Sequence, residues 1–137
     1  MNNTEQRYLE LNRRIKMAFI ASDDAKILGS SDLFEMQNLF NNLATGSALA
    51  NQYTSFKDYL LQELGRNMAR VMQPLRIGKY MIKYNIPHEN FFGIQLPKLE
   101  LVAKHDKPFN DDVLDMLLVH DYKTLEIILK NEEEEES

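Results

Sequence analysis

Apolar side chains recur near the start of the chain at Tyr8, Leu11, Ile15, Ala18 and Phe19. Steps of three and four residues put them on one helical face, so the pattern predicts a first helix from Thr4 to about Ile20. Ser22, Asp23 and Asp24 then read as turn and cap residues, and Gly29 as a permissive backbone position. Asp32, with Glu35 three residues on, has part of a capping-box pattern. A second helix from about Asp32 to Leu43 would bury Leu33, Met36, Leu39, Phe40 and Leu43. Residues 44–54 are small and polar and read as a connector, after which Ser55 can cap a long third helix. Its stripe is Phe56, Tyr59, Leu60, Leu64, Met68, Val71 and Met72.

Pro74 lacks the backbone donor that a continuing helix needs, which predicts a kink or break there. Leu75, Ile77, Met81, Ile82 and Tyr84 supply a fourth helix that Asn85, Ile86 and Pro87 end. Phe91, Phe92, Ile94 and Leu96 lie between two prolines, too short a stretch for a long helix, and should plug the core as an ordered loop. Residues 97–105 fit either a strand or a short helix. Helix is the better reading, because a lone strand has no partner. Asn110 can cap a further helix opening with Asp111 and Asp112, with Phe109 stapled onto Leu114, and Asp121 can begin another. Leu114, Leu117 and Leu118 are matched eleven residues later by Leu125, Ile128 and Leu129, two like faces in a hairpin. The pair has the outline of one solenoid unit, but such units need neighbours to bury their faces.

The expected fold is therefore all-α: a single compact domain over residues 1–130, of six or seven helices with a C-terminal hairpin, followed by a disordered acidic tail over 131–137. A chain of 137 residues, 44% hydrophobic and 27% charged, suits one domain with one core. No stretch approaches the apolar length of a membrane span, and Glu5 and Glu10 stand where a secretory signal would run apolar. A cytoplasmic protein with no membrane partner is expected. The absence of cysteine excludes disulfides, thiolate zinc sites, iron–sulfur clusters and a cysteine nucleophile.

Charge changes the picture more. The net charge is −5, and Glu132 to Glu136 carry five negative charges by themselves. Up to Ile86 there are 11 Lys and Arg against 8 Asp and Glu; beyond it, 5 against 13. The chain is polarised along its length, and five consecutive glutamates repel one another and bury nothing, so Asn131 to Ser137 should be a solvated tail or at most a fraying extension of the last helix.

Catalytic chemistry is thinly represented. There is no phosphate-binding glycine loop, dinucleotide fingerprint, nucleophile elbow or HExxH pair, and the five glycines stand apart. Each histidine precedes a carboxylate (His88 and Glu89, His105 and Asp106, His120 and Asp121), a combination able to bind a divalent metal or move a proton. All three pairs fall at inferred helix junctions, where acidic caps are common, so loop histidines are the better reading. A paired-carboxylate role for Asp23 and Asp24 is disfavoured for the same reason. No cofactor, no metal and no enzyme activity are expected.

Residues 64–88 contain Arg66, Arg70, Arg76, Lys79 and Lys83 with no acidic residue before His88, and Tyr80 and Tyr84 lie among them. Such a strip could track a phosphate backbone and stack bases, with Arg7, Arg13, Arg14 and Lys16 as an extension. It is equally complementary to the acidic C-terminal third, within the fold, between subunits of a homo-oligomer, or across an interface with another protein. Methionines on helical stripes add adaptable apolar surface for a partner helix, although core filling is their commoner use. The sequence therefore points first to a non-enzymatic interaction protein, an adaptor, inhibitor or assembly factor, whose partner is another protein. A nucleic-acid-binding regulator is the runner-up and a small histidine–carboxylate enzyme the third reading. Twelve asparagines associate the composition with phage or mobile-element accessory proteins.

Overall fold

A computed structural model describes residues 2–18 and 23–136 of the chain. Among them eight α-helices form, and no strand: α1 (Asn3–Ala18), α2 (Asp23–Asn41), α3 (Ala48–Gln52), α4 (Phe56–Tyr59), α5 (Met68–Lys83), α6 (Leu96–His105), α7 (Asp111–Val119) and α8 (Tyr122–Glu136). The all-α expectation holds, with one or two helices more than anticipated. Phe19, Ile20 and Ser22, assigned from sequence to the end of the first helix and the turn after it, lie outside the described residues, as does Ser137. No helix among the described residues is long and apolar enough to cross a membrane.

The long helices neighbour one another in chain order, α1 on α2, α2 on α5, α5 on α6 and α6 on α8. The central crossing, α2 on α5, is possible because of small residues. A Cβ built at Gly78 would lie 2.0 Å from the backbone oxygen of Ser30, so only glycine lets the backbones approach this closely. Ser30 is itself fully buried, and its hydroxyl donates back to Lys26 O at 2.7 Å. This explains the first correction. Gly29, Ser30 and Ser31 resemble helix breakers, yet α2 begins at Asp23 and runs through them, because the crossing needs small side chains on a helical face.

The second correction concerns the long third helix. Ser55 does cap a helix, its hydroxyl accepting from Asp58 N–H, but α4 passes into a single π-type turn, Leu60–Leu64, that stops at Gly65. Gly65 has φ +63°, a left-handed conformation that costs other residues a steric penalty, and its N–H returns to Leu60 O. A new helix, α5, then starts behind the Asn67 cap and continues through Pro74 without a break. The interruption thus falls at Gly65; Pro74 is buried within α5, where packing on both sides outweighs the lost backbone bond. The connector 44–54 also folds in part, as α3 capped by Ser47.

Other expectations hold. Pro97 lies in the first turn of α6, so residues 97–105 are helical, and Asn110 caps α7 by accepting from Val113 N–H. Phe91, Ile94 and Leu96 are buried around a 3-10 turn, His88–Phe91, although Phe92 is exposed. Residues 131–136 continue α8, the extension of the last helix that the sequence left open, rather than forming a disordered tail. Lys107 bonds Glu132, and His105 Nδ1 lies 2.6 Å from Glu133 Oε1. Two cationic or protonatable groups at the end of α6 thus offset part of the glutamate repulsion.

Candidate functional site

The basic strip is divided by the fold. Arg66 is half-buried before the Asn67 cap, and Arg70 is exposed in the first turn of α5. Arg70 is separated from Lys79 by roughly 14 Å along the axis, taking a rise of about 1.5 Å per residue. Arg76, Lys79, Tyr80 and Lys83 come together on the face of α5 that meets α6, where Lys104 and Asp106 join them around a cleft of about 360 Å³. Sequence reasoning overlooked Lys104; its place in the last turn of α6, a position that favours cations, was the available signal.

Within the cleft the charges are partly neutralised. Arg76 Nη1 donates to Glu100 Oε2 at 2.8 Å, and Gln73 Nε2 reaches the other carboxylate oxygen at 3.4 Å. Lys83 donates to Asp106, whose Oδ1 and backbone oxygen each accept from Tyr84 Oη at 3.1 Å. The bond from Lys83 holds the Asp106 carboxyl below its ordinary range, and the same bond raises Lys83. Asp106 ends α6 at φ +50°, a conformation aspartate tolerates better than most residues. Lys79 and Lys104 are exposed, and neither forms an ion pair with a carboxylate among the described residues, although Lys79 lies near enough to Asp106 to help lower its carboxyl.

The two tyrosines are structural. Tyr80 is buried and donates to Lys107 O at 2.5 Å; burial pushes its phenol well above the usual range. Tyr84 meets Tyr80 edge-on at 4.9 Å between ring centroids, and Lys83 Nζ sits 5.2 Å from the Tyr84 ring. Three of the four cations of the proposed extension on α1 are likewise paired, Arg7 with Glu10 and Glu35, Arg14 with Glu10 and Asp32, Lys16 with Glu63, while Arg13 is exposed. Much of the strip's positive charge therefore closes the fold.

The three histidines stay apart. His88 Nε2 is 2.9 Å from Ser31 Oγ, His105 meets Glu133, and the backbone oxygen of His120 accepts from Lys98 Nζ at 2.9 Å. Among the described residues no group of three or more His, Cys, Asp or Glu side chains could hold a metal ion.

A second concavity joins residues that sequence reasoning kept separate. A groove of about 470 Å³ lies between the last turns of α1 and the first half of α2, with Arg14, Met17, Leu28, Asp32 and His88 on its walls. From sequence, Arg14 was an extension of the strip, Asp32 a cap and His88 a loop residue. Only the course of α2 through Gly29 brings them together.

The fold and cleft define a class, an all-α chain with a charge-lined cleft between two helices, rather than a particular activity. Comparison with protein-family models, with curated proteins and with solved structures gives no match to this chain.

Proposed function

We propose that the chain is a non-enzymatic protein–protein interaction module, an adaptor, inhibitor or assembly factor of the cytoplasm, and that its α5–α6 cleft receives an acidic segment of another protein. The observation that carries this reading is the pair Lys79 and Lys104. Both are exposed, both stand on helices fixed by buried contacts, and the neighbouring carboxylates are already engaged by Arg76 and Lys83. Cations held in place without a partner steer an acidic surface and fix its register more than they add raw affinity.

The same geometry weakens the runner-up. A single-strand binder stacks bases on free aromatic faces, whereas Tyr80 is buried and Tyr84 is flanked by Tyr80 and Lys83. Within the cleft only two of the four cations lack an ion pair, a small phosphate footprint. The test pairs two measurements at about 0.15 M salt. Tagged protein should retain a protein partner that Lys79→Glu with Lys104→Glu releases, while random DNA and RNA, single- and double-stranded, show no micromolar mobility shift. A shift removed by the two substitutions favours the nucleic-acid regulator instead, and self-association removed by them identifies a second copy as the partner.

A further inference from the structure

The α5–α6 cleft does not end at Lys104. His105, Asp106 and Lys107 follow it, and Asp106 lines both the cleft and a smaller crevice of about 100 Å³ against the end of α8. The basic groups of that crevice are occupied from within the molecule: Lys107 Nζ donates to Glu132, and His105 Nδ1 lies 2.6 Å from Glu133 Oε1. The Lys107 and His105 side chains are 31% and 18% exposed, whereas Lys104 beside them is open.

The two sides of this contact are held unequally. Lys107 is tied to α5, because its backbone oxygen accepts from Tyr80 Oη at 2.5 Å. On the other side, the buried Leu129 anchors α8, but the glutamates from Glu132 onward stand in its closing turns. There the helix dipole disfavours anions and neighbouring carboxylates repel one another, so this end of the helix is released at little cost. Lys107 and His105 are then open to carboxylates from elsewhere.

We propose that the glutamate turn of α8 is a built-in competitor for the acidic segment that the α5–α6 cleft receives. The incoming segment pairs with Lys79 and Lys104, displaces Glu132 and Glu133, and continues onto Lys107 and His105. This rests on the reading of the cleft given above and adds its regulation. A tethered competitor acts at an effective concentration on the order of millimolar, so it sets a threshold on what binds. A short acidic segment reaches Lys79 and Lys104 alone, whereas a longer one also gains the two groups that α8 gives up. Glu133, paired with the chain neighbour of Lys104, also lies close enough to weaken the field that draws an anion in, before salt screens it over about 8 Å.

The test is fluorescence anisotropy at about 0.15 M salt with labelled polyglutamate peptides of about ten and about three residues. Three proteins are compared: the full chain, the chain ended at Asn131, and the full chain with Glu132→Gln and Glu133→Gln, in which glutamine keeps the helix while the competing charge is lost. The long peptide should bind both altered proteins about tenfold more tightly than the full chain, and the short peptide should gain less than about threefold. Adding Lys107→Gln to the shortened chain should remove most of the gain. Equal binding of the long peptide by all three proteins, or a gain that Lys107→Gln leaves intact, would overturn the competitor while the cleft reading stands. Binding by none of them, or binding that Lys79→Glu with Lys104→Glu does not diminish, would overturn the cleft reading and this inference with it.

Discussion

The two ends of the molecule are held by different kinds of core. Toward the N-terminus, Tyr8, Phe40, Tyr53, Phe56 and Tyr59 interlock, with ring centroids between 5.4 and 6.4 Å apart. The tyrosine hydroxyls start a relay that runs from the core to the surface: Tyr8 Oη is 2.9 Å from Tyr53 Oη, Tyr53 donates to Glu63, and Glu63 accepts from the exposed Lys16 at 2.8 Å. Toward the C-terminus the buried residues are largely aliphatic, including Ile27, Ile77, Leu99, Val102, Val113, Leu117, Leu125 and Leu129. Charge stays at the rim there, in the Arg76–Glu100 and Lys83–Asp106 pairs. The difference teaches where each region gains its specificity: the aromatic end through hydroxyl partners and ring geometry, the aliphatic end through side-chain volume and a charged seam. Helix α5 belongs to both, with Val71 and Leu75 in the first core and Ile77, Tyr80 and Met81 in the second.

That comparison breaks most severely at the crossing both cores share. Gly78→Ala pushes a methyl group into the Ser30 backbone and should cost about 4 kcal/mol. This exceeds the usual overpacking range of about 1–3 kcal/mol because backbone, not a flexible side chain, is in the way. Urea unfolding followed by tyrosine fluorescence and by circular dichroism should give coincident transitions at lower denaturant, since neither core survives without α5. Next, Leu117→Ala should cost about 3 kcal/mol, as a fully buried leucine leaves a cavity in the aliphatic core. The aromatic core answers to a smaller change. Tyr59 is fully buried and donates to Asn12 Oδ1 at 2.6 Å, so Tyr59→Phe, with no change in packing, should cost about 1 kcal/mol by the same measurement.

The smallest effect is the pH dependence of the seam. Asp106 is lowered in the folded chain, so its contribution is present at neutral pH and disappears as pH falls below about 4, the ordinary aspartate value. Lys83 is raised, so its contribution is complete below about 10.4 and is lost as pH rises beyond that. Both groups are exposed and screened by solvent. Lys83→Met should therefore lower the neutral plateau of the stability profile slightly and make the falls at its acid and alkaline limbs shallower.

Sequence periodicity was enough to read the stripes Tyr8, Leu11, Ile15 and Leu33, Met36, Phe40, and local cap chemistry sufficed for Ser55 and Asn110, because both act within a few residues. What local reasoning missed depends on contacts made far along the chain. Gly29 and Ser30 continue a helix because Gly78 approaches them; Pro74 is tolerated because both sides of α5 are packed. Tyr53 stood in a polar connector with no period to mark it, yet it sits at the centre of the aromatic core. Of the seven strip residues, the short spacings correctly grouped Arg76, Lys79, Tyr80 and Lys83 on one face. They could not reveal that Glu100 and Asp106 would neutralise two of them, nor that Arg66 and Arg70 would be set apart.

The central claim is that Lys79 and Lys104 act on an acidic protein surface, and it is tested most directly by measuring partner association rate against ionic strength. The account predicts that association with the unaltered chain slows steadily as salt rises past the point where the Debye length is about 8 Å. With Lys79→Glu and Lys104→Glu, association should be slow throughout and lose that decline, although thermal stability stays within about 0.5 kcal/mol of the original. Identical rates and identical salt dependence for the two proteins would contradict the claim and place the interface elsewhere.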